Sequence, residues 1–160
     1  MTNYYFKVME KIYSFIFFTQ SPQRLYNAKY AKNKQMTENE ISHTIIGVAI
    51  ELHKTVGPGL LESAYENALA FDLKQLGLDV NQQVPMPFIY KDVKQDIGYR
   101  IDLVVNHKVI IEVKSIEALA PIHFAQTLTY LKLSGLRLGL LINFNSKLLK
   151  EQIHRIANNL

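Results

Sequence analysis

The stretch from residue 109 to residue 144 restricts the fold more than any other part of the sequence. Val109, Ile111 and Val113 are apolar at alternate positions, as in a short strand. Pro121 and Gly135 then bracket a segment with the proline-first, glycine-last pattern of a helix. The run 136–144 is almost continuously apolar, which is typical of a strand buried on both faces. This order predicts two parallel strands joined by a helix, and therefore an α/β fold.

Two helices and two strands are predicted ahead of this unit. Residues 37–56 and 60–76 carry apolar side chains three and four positions apart, the spacing of amphipathic helices. Thr37 and Glu40 have the spacing of a capping box at the start of the first helix. Residues 80–90 and 97–105 alternate with period two and therefore predict strands. The first of these strands contains prolines, which donate no backbone hydrogen bond, so we expect it at an edge of the sheet.

The end of the chain predicts one more helix. Leu149, Ile153 and Ile156 are spaced to share one helix face between residues 146 and 158. The complete order is then ααβββαβα. Its central αβββαβ part would form a mixed four-stranded sheet flanked by helices.

Length and composition narrow the function classes. A chain of 160 residues is long enough for one well-packed domain and short for two. It contains no cysteine, which excludes disulfides, thiolate zinc sites and cysteine nucleophiles. Any metal must therefore bind oxygen or imidazole ligands, and the absence of cysteine is consistent with a cytoplasmic location. No stretch has the length of a transmembrane helix, so we expect no membrane partner.

The first 35 residues differ from the rest of the chain. They contain nine of the seventeen Phe and Tyr residues, and six basic residues against one acid. Their net charge of +5 exceeds the +4 of the whole chain, so residues 36–160 carry −1. We expect residues 1–35 to lie outside the core, as an upstream-translated or flexible extension, and residues 36–160 to form the domain. Bulk charge is therefore no evidence of DNA binding.

Strand parity brings three charged residues together. The odd positions of the strand 97–105 are apolar, so Asp102 lies on the opposite face, and Glu112 and Lys114 share that face on the next strand. A three-residue connection, 106–108, sets Asp102 beside Glu112, with Cβ atoms about 5 Å apart. Two carboxylates so close repel each other unless a proton or a cation lies between them, and oxygen ligands suit Mg²⁺ or Mn²⁺. The alternative is that these charges form a solvated sheet face, with Lys114 neutralising a carboxylate.

Two further groups of polar residues lie on predicted helices. His123, Gln126 and Tyr130 fall on one face of the crossover helix. Gln126 and Tyr130 would reach a phosphate or an ordered water, whereas His123 is interpreted as a first-turn histidine without a ligand role. Glu62 and Tyr65 lie on nearly the same side of the second helix, where the helix dipole alone already explains a first-turn carboxylate.

These blocks resemble a known superfamily. Asp102, the Glu112-Val113-Lys114 block and the stretch Gln126-Thr127-Leu128-Thr129-Tyr130 resemble the PD-(D/E)XK nuclease superfamily, with its restriction-endonuclease-like core, and the last stretch resembles the QxxxY helix of its RecB-like branch. The motif Gly59-x-x-Glu62-x-x-Tyr65 and the later GYRIDLVV, VIIEVK and LKLSGLRLGLLINF blocks are similar to the GxxExxY family of small PD-(D/E)XK-like domains. The resemblance covers residues 36–160.

The resemblance implies a metal-dependent phosphodiesterase that acts on nucleic acid. Asp102 and Glu112 would hold Mg²⁺ or Mn²⁺ with the backbone carbonyl of Val113, and Glu62 would be a further ligand, directly or through water. Lys114 would orient the attacking water and offset negative charge in the transition state. The residues that would position the nucleic-acid backbone are Gln126, Tyr130 and Arg100.

Three functions follow as hypotheses. The first is a Mg²⁺-dependent endo- or exonuclease with DNA favoured over RNA as substrate, and with both a monomer and a homodimer left open. The second is a non-catalytic nucleic-acid-binding or protein-interaction module that retains the nuclease fold. The third is a small-molecule hydrolase that uses the same metal pair. A net charge of −1 over residues 36–160 argues against a strong sequence-independent grip on DNA.

Overall fold

The described part of this computed structural model, residues 36–91 and 93–160, begins with a capped helix. The Thr37 hydroxyl accepts a hydrogen bond from the backbone N–H of Glu40, and the Glu40 carboxylate accepts one from the backbone N–H of Thr37. This reciprocal pair satisfies donors that the first turn leaves free, so the predicted capping box is confirmed. The predicted separation of residues 1–35 from the core concerns a segment outside the described residues.

The elements follow one another in an order close to the predicted one. In chain order they are α1 (Glu38–Val56), α2 (Glu62–Gln75), β1 (Val80–Tyr90), β2 (Val93–Val105), β3 (Val109–Lys114), α3 (Pro121–Ser134), β4 (Leu138–Asn143), a 3₁₀ turn (Leu149–Gln152) and β5 (Ile153–Ala157). None of the helices among the described residues is long and apolar enough to cross a lipid bilayer.

One mixed sheet organises these elements. Its strand order is β1-β2-β3-β4-β5, which puts the proline-containing β1 at an edge as predicted. Strands β3 and β4 are parallel, and the other neighbouring pairs are antiparallel. All six residues of β4 are buried, since helices cover both faces of the sheet here. The α/β class and the parallel crossover are therefore confirmed.

Each face of the sheet has its own apolar core. Helices α1 and α2 pack on one face, against side chains that include Leu103, Ile111 and Leu140. Helix α3 packs on the other face, where Tyr130 and Leu131 meet Ile110 of β3. The charged residues of β2 and β3 therefore lie in a sheet that is covered on both sides.

Two predictions are wrong at the C-terminal end: the helix over residues 146–158 and the number of strands in the sheet. The segment 146–158 forms the 3₁₀ turn and β5, so the described sheet has five strands. Strand β5 pairs along β4, from Ile142 with Ile153 to Leu138 with Ala157. Without it, the backbone groups on the outer edge of buried β4 would have no hydrogen-bond partners.

The predicted single apolar face of the strand 97–105 is also wrong. Ile101 packs with Tyr130 on the α3 face, whereas Leu103 and Val105 pack on the α1 and α2 face. The change of side occurs at Asp102. Opposite this point, Gln83 of β1 has a left-handed backbone with φ of 53°, a conformation that disrupts regular alternation. Asp102 thus lies at the position where the apolar side chains of β2 change from one face of the sheet to the other.

Gly139 allows α3 to approach the sheet closely. A Cβ atom at this position would lie 2.9 Å from Cγ2 of Thr127 and 3.4 Å from Cδ1 of Leu131, both on α3. We expect Gly139→Ala to lower the free energy of unfolding in urea by about 1–3 kcal/mol. Gly47→Ala is the matched control, because a Cβ atom there meets nothing within 4 Å and alanine favours a helix interior by about 1 kcal/mol. Equal stability of Gly139→Ala and the wild type would contradict the close approach.

Candidate active site

Two carboxylates meet where the paired part of β2 and β3 ends. The register pairs Val105 with Val109 and Leu103 with Ile111, as predicted, so Asp102 and Glu112 follow at the next position. Asp102 Oδ2 accepts a hydrogen bond of 2.9 Å from the backbone N–H of Val113. The side chain of Asp102 is therefore attached to the strand that carries Glu112.

Glu112 is buried without full compensation for its charge. Its side chain is 2% exposed, and Oε2 lies 3.6 Å from Nζ of Lys114. Oε1 is inaccessible to solvent and has no hydrogen-bond partner among the described residues. Buried polar atoms without partners are rare and cost free energy. Such an atom on a carboxylate indicates that a proton or a bound cation would satisfy it.

The electrostatics of this pair favour protonation in the absence of a cation. The pKa of Glu112 is raised to about 8, chiefly by burial and then by the negative charge of Asp102, while Lys114 lowers it in part. Burial also raises the pKa of Asp102, despite its hydrogen bond from Val113 and the nearby charge of Lys114. The positive charge of Lys114 therefore does not neutralise the two carboxylates of Asp102 and Glu112.

Glu62 connects α2 to the end of β3. Its Oε1 accepts a hydrogen bond of 3.0 Å from the backbone N–H of Ser115, the residue after Lys114. The hydroxyl of Ser115 in turn donates to the carbonyl of Leu60 at 2.7 Å. The charge of Glu62 contributes to the raised pKa of Asp102, so this carboxylate lies within electrostatic reach of the pair.

Tyr65 and Gly59, the other two residues of the Gly59-x-x-Glu62-x-x-Tyr65 motif, shape the loop before α2. The buried Tyr65 hydroxyl donates to the carbonyl of Gly57 at 2.6 Å and accepts from the backbone N–H of Leu60 at 3.2 Å. Its ring stacks on Phe144 with centroids 4.3 Å apart. Gly59 has a φ of 103°, which side chains rarely adopt. Both residues therefore shape the loop that presents Glu62.

A further carboxylate, Glu66, was not singled out from the sequence. It is 7% exposed, and its Oε2 accepts a hydrogen bond of 2.6 Å from Nε2 of Gln83. Among the carboxylates of α2, its charge raises the pKa of Asp102 the most. Glu62 and Glu66 are four residues apart on one helix, so they share a face, and this spacing is the signal that could have identified Glu66.

Arg100 lies with Glu66 and Gln83. Its Nη1 donates to Oε1 of Gln83 at 3.3 Å, and the side chain is exposed. The sequence grouped Arg100 with Gln126 and Tyr130 as a positioning residue. The structure places it in a different set of contacts, because β2 changes sides at Asp102.

Gln126 and Tyr130 form one unit on α3. Gln126 Nε2 donates to the Tyr130 hydroxyl at 2.8 Å, and Tyr130 is 3% exposed. Burial raises the pKa of Tyr130, and the charges of Glu112 and Asp102 raise it further. The Tyr130 hydroxyl is therefore within electrostatic reach of both carboxylates. His123 accepts a hydrogen bond at Nδ1 from the backbone N–H of Ala120, which agrees with its interpretation as a first-turn residue.

The comparison with protein families agrees with this arrangement. A model of the PD-(D/E)XK nuclease superfamily matches residues 39–156 of the 160, which includes every site residue described above. The chain therefore belongs to the PD-(D/E)XK nuclease superfamily. Parallel searches of curated proteins and of solved structures returned no match.

Proposed function

We propose that this protein is a metal-dependent nuclease that hydrolyses phosphodiester bonds in nucleic acid. The observation that carries the proposal is the buried Glu112, whose Oε1 has no partner among the described residues although Asp102 and Lys114 lie beside it. A module that only binds nucleic acid gains nothing from the free-energy cost of such a carboxylate. A divalent cation would remove that cost.

The donor set fits Mg²⁺ or Mn²⁺. Both ions prefer oxygen ligands, and Mg²⁺ usually keeps several waters and binds through one or two carboxylates. The described residues contain no ready-made group of three or more His, Asp or Glu side chains for a metal, so water must complete the shell. The residues that would hold the ion are Asp102, Glu112 and the backbone carbonyl of Val113, with Glu62 as a further ligand directly or through water.

The protein groups around this pair have separate tasks in hydrolysis. When bound, the cation supplies Lewis-acid chemistry, which reduces the charge on the phosphate and makes a nearby water more acidic. Lys114 would orient the attacking water and stabilise the negative charge that develops on the phosphate oxygens. Tyr130, whose hydroxyl accepts a hydrogen bond from Gln126, would donate its own proton to the substrate backbone. Arg100 would contact the backbone from the Gln83 side.

We further propose that the chain belongs to the GxxExxY group with a RecB-like QxxxY helix, acts in the cytoplasm, and has DNA as its first substrate to test. The support for the group assignment is the loop architecture around Gly59, Glu62 and Tyr65, and the hydrogen-bonded pair of Gln126 and Tyr130. Light scattering would distinguish a homodimer from a monomer.

The experiment is a cleavage panel with a matched lysine control. Supercoiled plasmid, linear duplex, single-stranded DNA and RNA are incubated with purified protein and Mg²⁺, Mn²⁺ or EDTA. We expect cleavage that requires the metal and falls about 100- to 1,000-fold in Lys114→Met, which removes the charge but keeps the length of the side chain. Lys150→Met, at an exposed lysine of the 3₁₀ turn, should cleave as the wild type does.

Two results would contradict the proposal. Equal cleavage by Lys114→Met and wild type would show that the assigned site is wrong. No cleavage of any polymer by a protein that demonstrably binds Mn²⁺ would instead favour the non-catalytic module.

A further inference from the structure

A row of three aromatic side chains begins at the proposed active site. Tyr130, beside Glu112, contacts Tyr99 of β2, and Tyr99 contacts Phe88 of β1. The ring centroids are 6.3 Å apart in both pairs, and both contacts are edge-to-face, with interplanar angles of 68° and 82°. Such geometry is attractive between aromatic rings, so each ring helps to fix the next.

The three rings differ in exposure. Tyr130 is 3% exposed, Phe88 is half-buried, and Tyr99 is 38% exposed. Tyr99 is thus a ring fixed by neighbours on two sides that still presents a large apolar surface to solvent. The sequence pattern placed Tyr99 in the buried set with Leu103, and the change of side at Asp102 is what brings it to the α3 face instead.

We propose that Tyr99 is a stacking site for an unpaired base next to the phosphate that is cleaved. The inference rests on the proposed function for the position of that phosphate. Tyr99 contacts Tyr130, and the charges of Glu112 and Asp102 act on Tyr130, so a base on Tyr99 would belong to a nucleotide near the reacting one. The substrate class that fits is single-stranded DNA or RNA, or an unpaired end, because duplex bases are already stacked on one another.

The charge distribution supports a role for stacking. Residues 36–160 carry a net charge of −1, so attraction to phosphates supplies little affinity. Stacking on an aromatic ring accepts any base and does not depend on charge. A ring that is already held in place also loses little conformational entropy when a base stacks on it. These properties suit an enzyme that takes a strand without reading its sequence.

The test measures binding separately from cleavage. All binding variants carry Lys114→Met, with Mg²⁺ present, and the integrity of fluorescein-labelled dT12 is checked on a gel after each anisotropy titration. We expect Tyr99→Leu to weaken binding of dT12 about 10- to 100-fold, and Tyr99→Phe to bind as the parent does. Phe71→Leu is the control, since Phe71 is 49% exposed on α2, on the opposite face of the sheet, and should leave binding unchanged.

Two further readouts separate stacking from a structural effect. We expect the slope of log Kd against log salt to stay the same in Tyr99→Leu, because no phosphate contact is removed. In a series of dT12 strands that each carry one abasic nucleotide at a different position, one strand should bind the parent more weakly than the others. Tyr99→Leu should be insensitive to that position, and the parent result stands even if Tyr99→Leu proves poorly folded.

The failures of the two proposals are distinguishable. Loss of dT12 affinity in Tyr99→Leu, in a protein that cleaves nothing, would support the stacking site and contradict the proposed nuclease function. Metal-dependent cleavage with unchanged dT12 binding and no sensitive abasic position would keep the nuclease and overturn the stacking site. Equal loss of affinity in Phe71→Leu, or no binding of dT12 at all, would also overturn it.

Discussion

Glu112→Gln is expected to abolish metal-dependent cleavage and, at the same time, to stabilise the metal-free protein. The substitution keeps the shape of the side chain but removes the charge that would bind the cation, so we expect kcat to fall about 1,000-fold or more. It also removes the need to bury an ionised group at 2% exposure beside Asp102. We therefore expect the free energy of unfolding at pH 8 in EDTA to rise by about 1–3 kcal/mol.

The opposite signs of these two effects make the prediction specific. Activity is measured on the best substrate from the cleavage panel, and stability by urea unfolding of the same preparations. Glu151→Gln, at an exposed glutamate in the 3₁₀ turn, is the control and should change neither quantity. A Glu112→Gln protein that is both inactive and less stable would indicate an ordinary structural carboxylate, held by contacts that the glutamine cannot reproduce.

Local signals were sufficient for the elements on which the site is built. The capping pair of Thr37 and Glu40 correctly placed the start of α1, and Pro121 and Gly135 correctly bracketed α3. The short connection 106–108 fixed the register of β2 on β3, because residues 106 and 107 both adopt positive φ and reverse the chain within a tight turn. The neighbourhood of Asp102 and Glu112 follows from that register.

The C-terminal segment shows where local spacing fails. Leu149, Ile153 and Ile156 are compatible with one helix face, yet Ile153 and Ile156 lie in β5. What decides the matter is the unpaired edge of β4, which must find hydrogen-bond partners because the strand is completely buried. That requirement comes from the assembled sheet, and a window of a few residues does not contain it.

The same limit explains the incomplete prediction of the site. The left-handed backbone of Gln83 is a feature of the assembled sheet, and it lies opposite the point where β2 changes sides, near Ile101 and Arg100. The contribution of Glu66 depends on the packing of α2 over β2, across a distance of many residues. Residues that strand register places side by side could be located from the sequence, whereas residues that only tertiary packing brings together could not.

Without metal, the protein is expected to lose stability as the pH rises from about 5 to 8. Glu112 has an ordinary pKa of 4.5 when unfolded and a pKa of about 8 when folded, so the folded state retains a proton that the unfolded state has released. Below pH 4.5 both states are protonated and no penalty exists. Above that, each pH unit costs up to about 1.4 kcal/mol until the folded carboxyl also ionises, a total on the order of 3–5 kcal/mol. The raised pKa of Asp102 acts in the same direction.

Mn²⁺ or Mg²⁺ should reverse this trend, because a cation held by Asp102 and Glu112 would compete with the proton and would bind better where these carboxylates are ionised. We expect the rise in Tm on addition of 1 mM Mn²⁺ to be larger at pH 8 than at pH 5.5. In Glu112→Gln the pH slope in EDTA should become shallower and the Mn²⁺ effect should largely disappear, while Glu151→Gln should behave as the wild type. A wild-type protein whose stability in EDTA increases from pH 5 to pH 8, with no response to Mn²⁺, would show that Glu112 is charged and satisfied in the fold, and the argument for a metal at this carboxylate would fail.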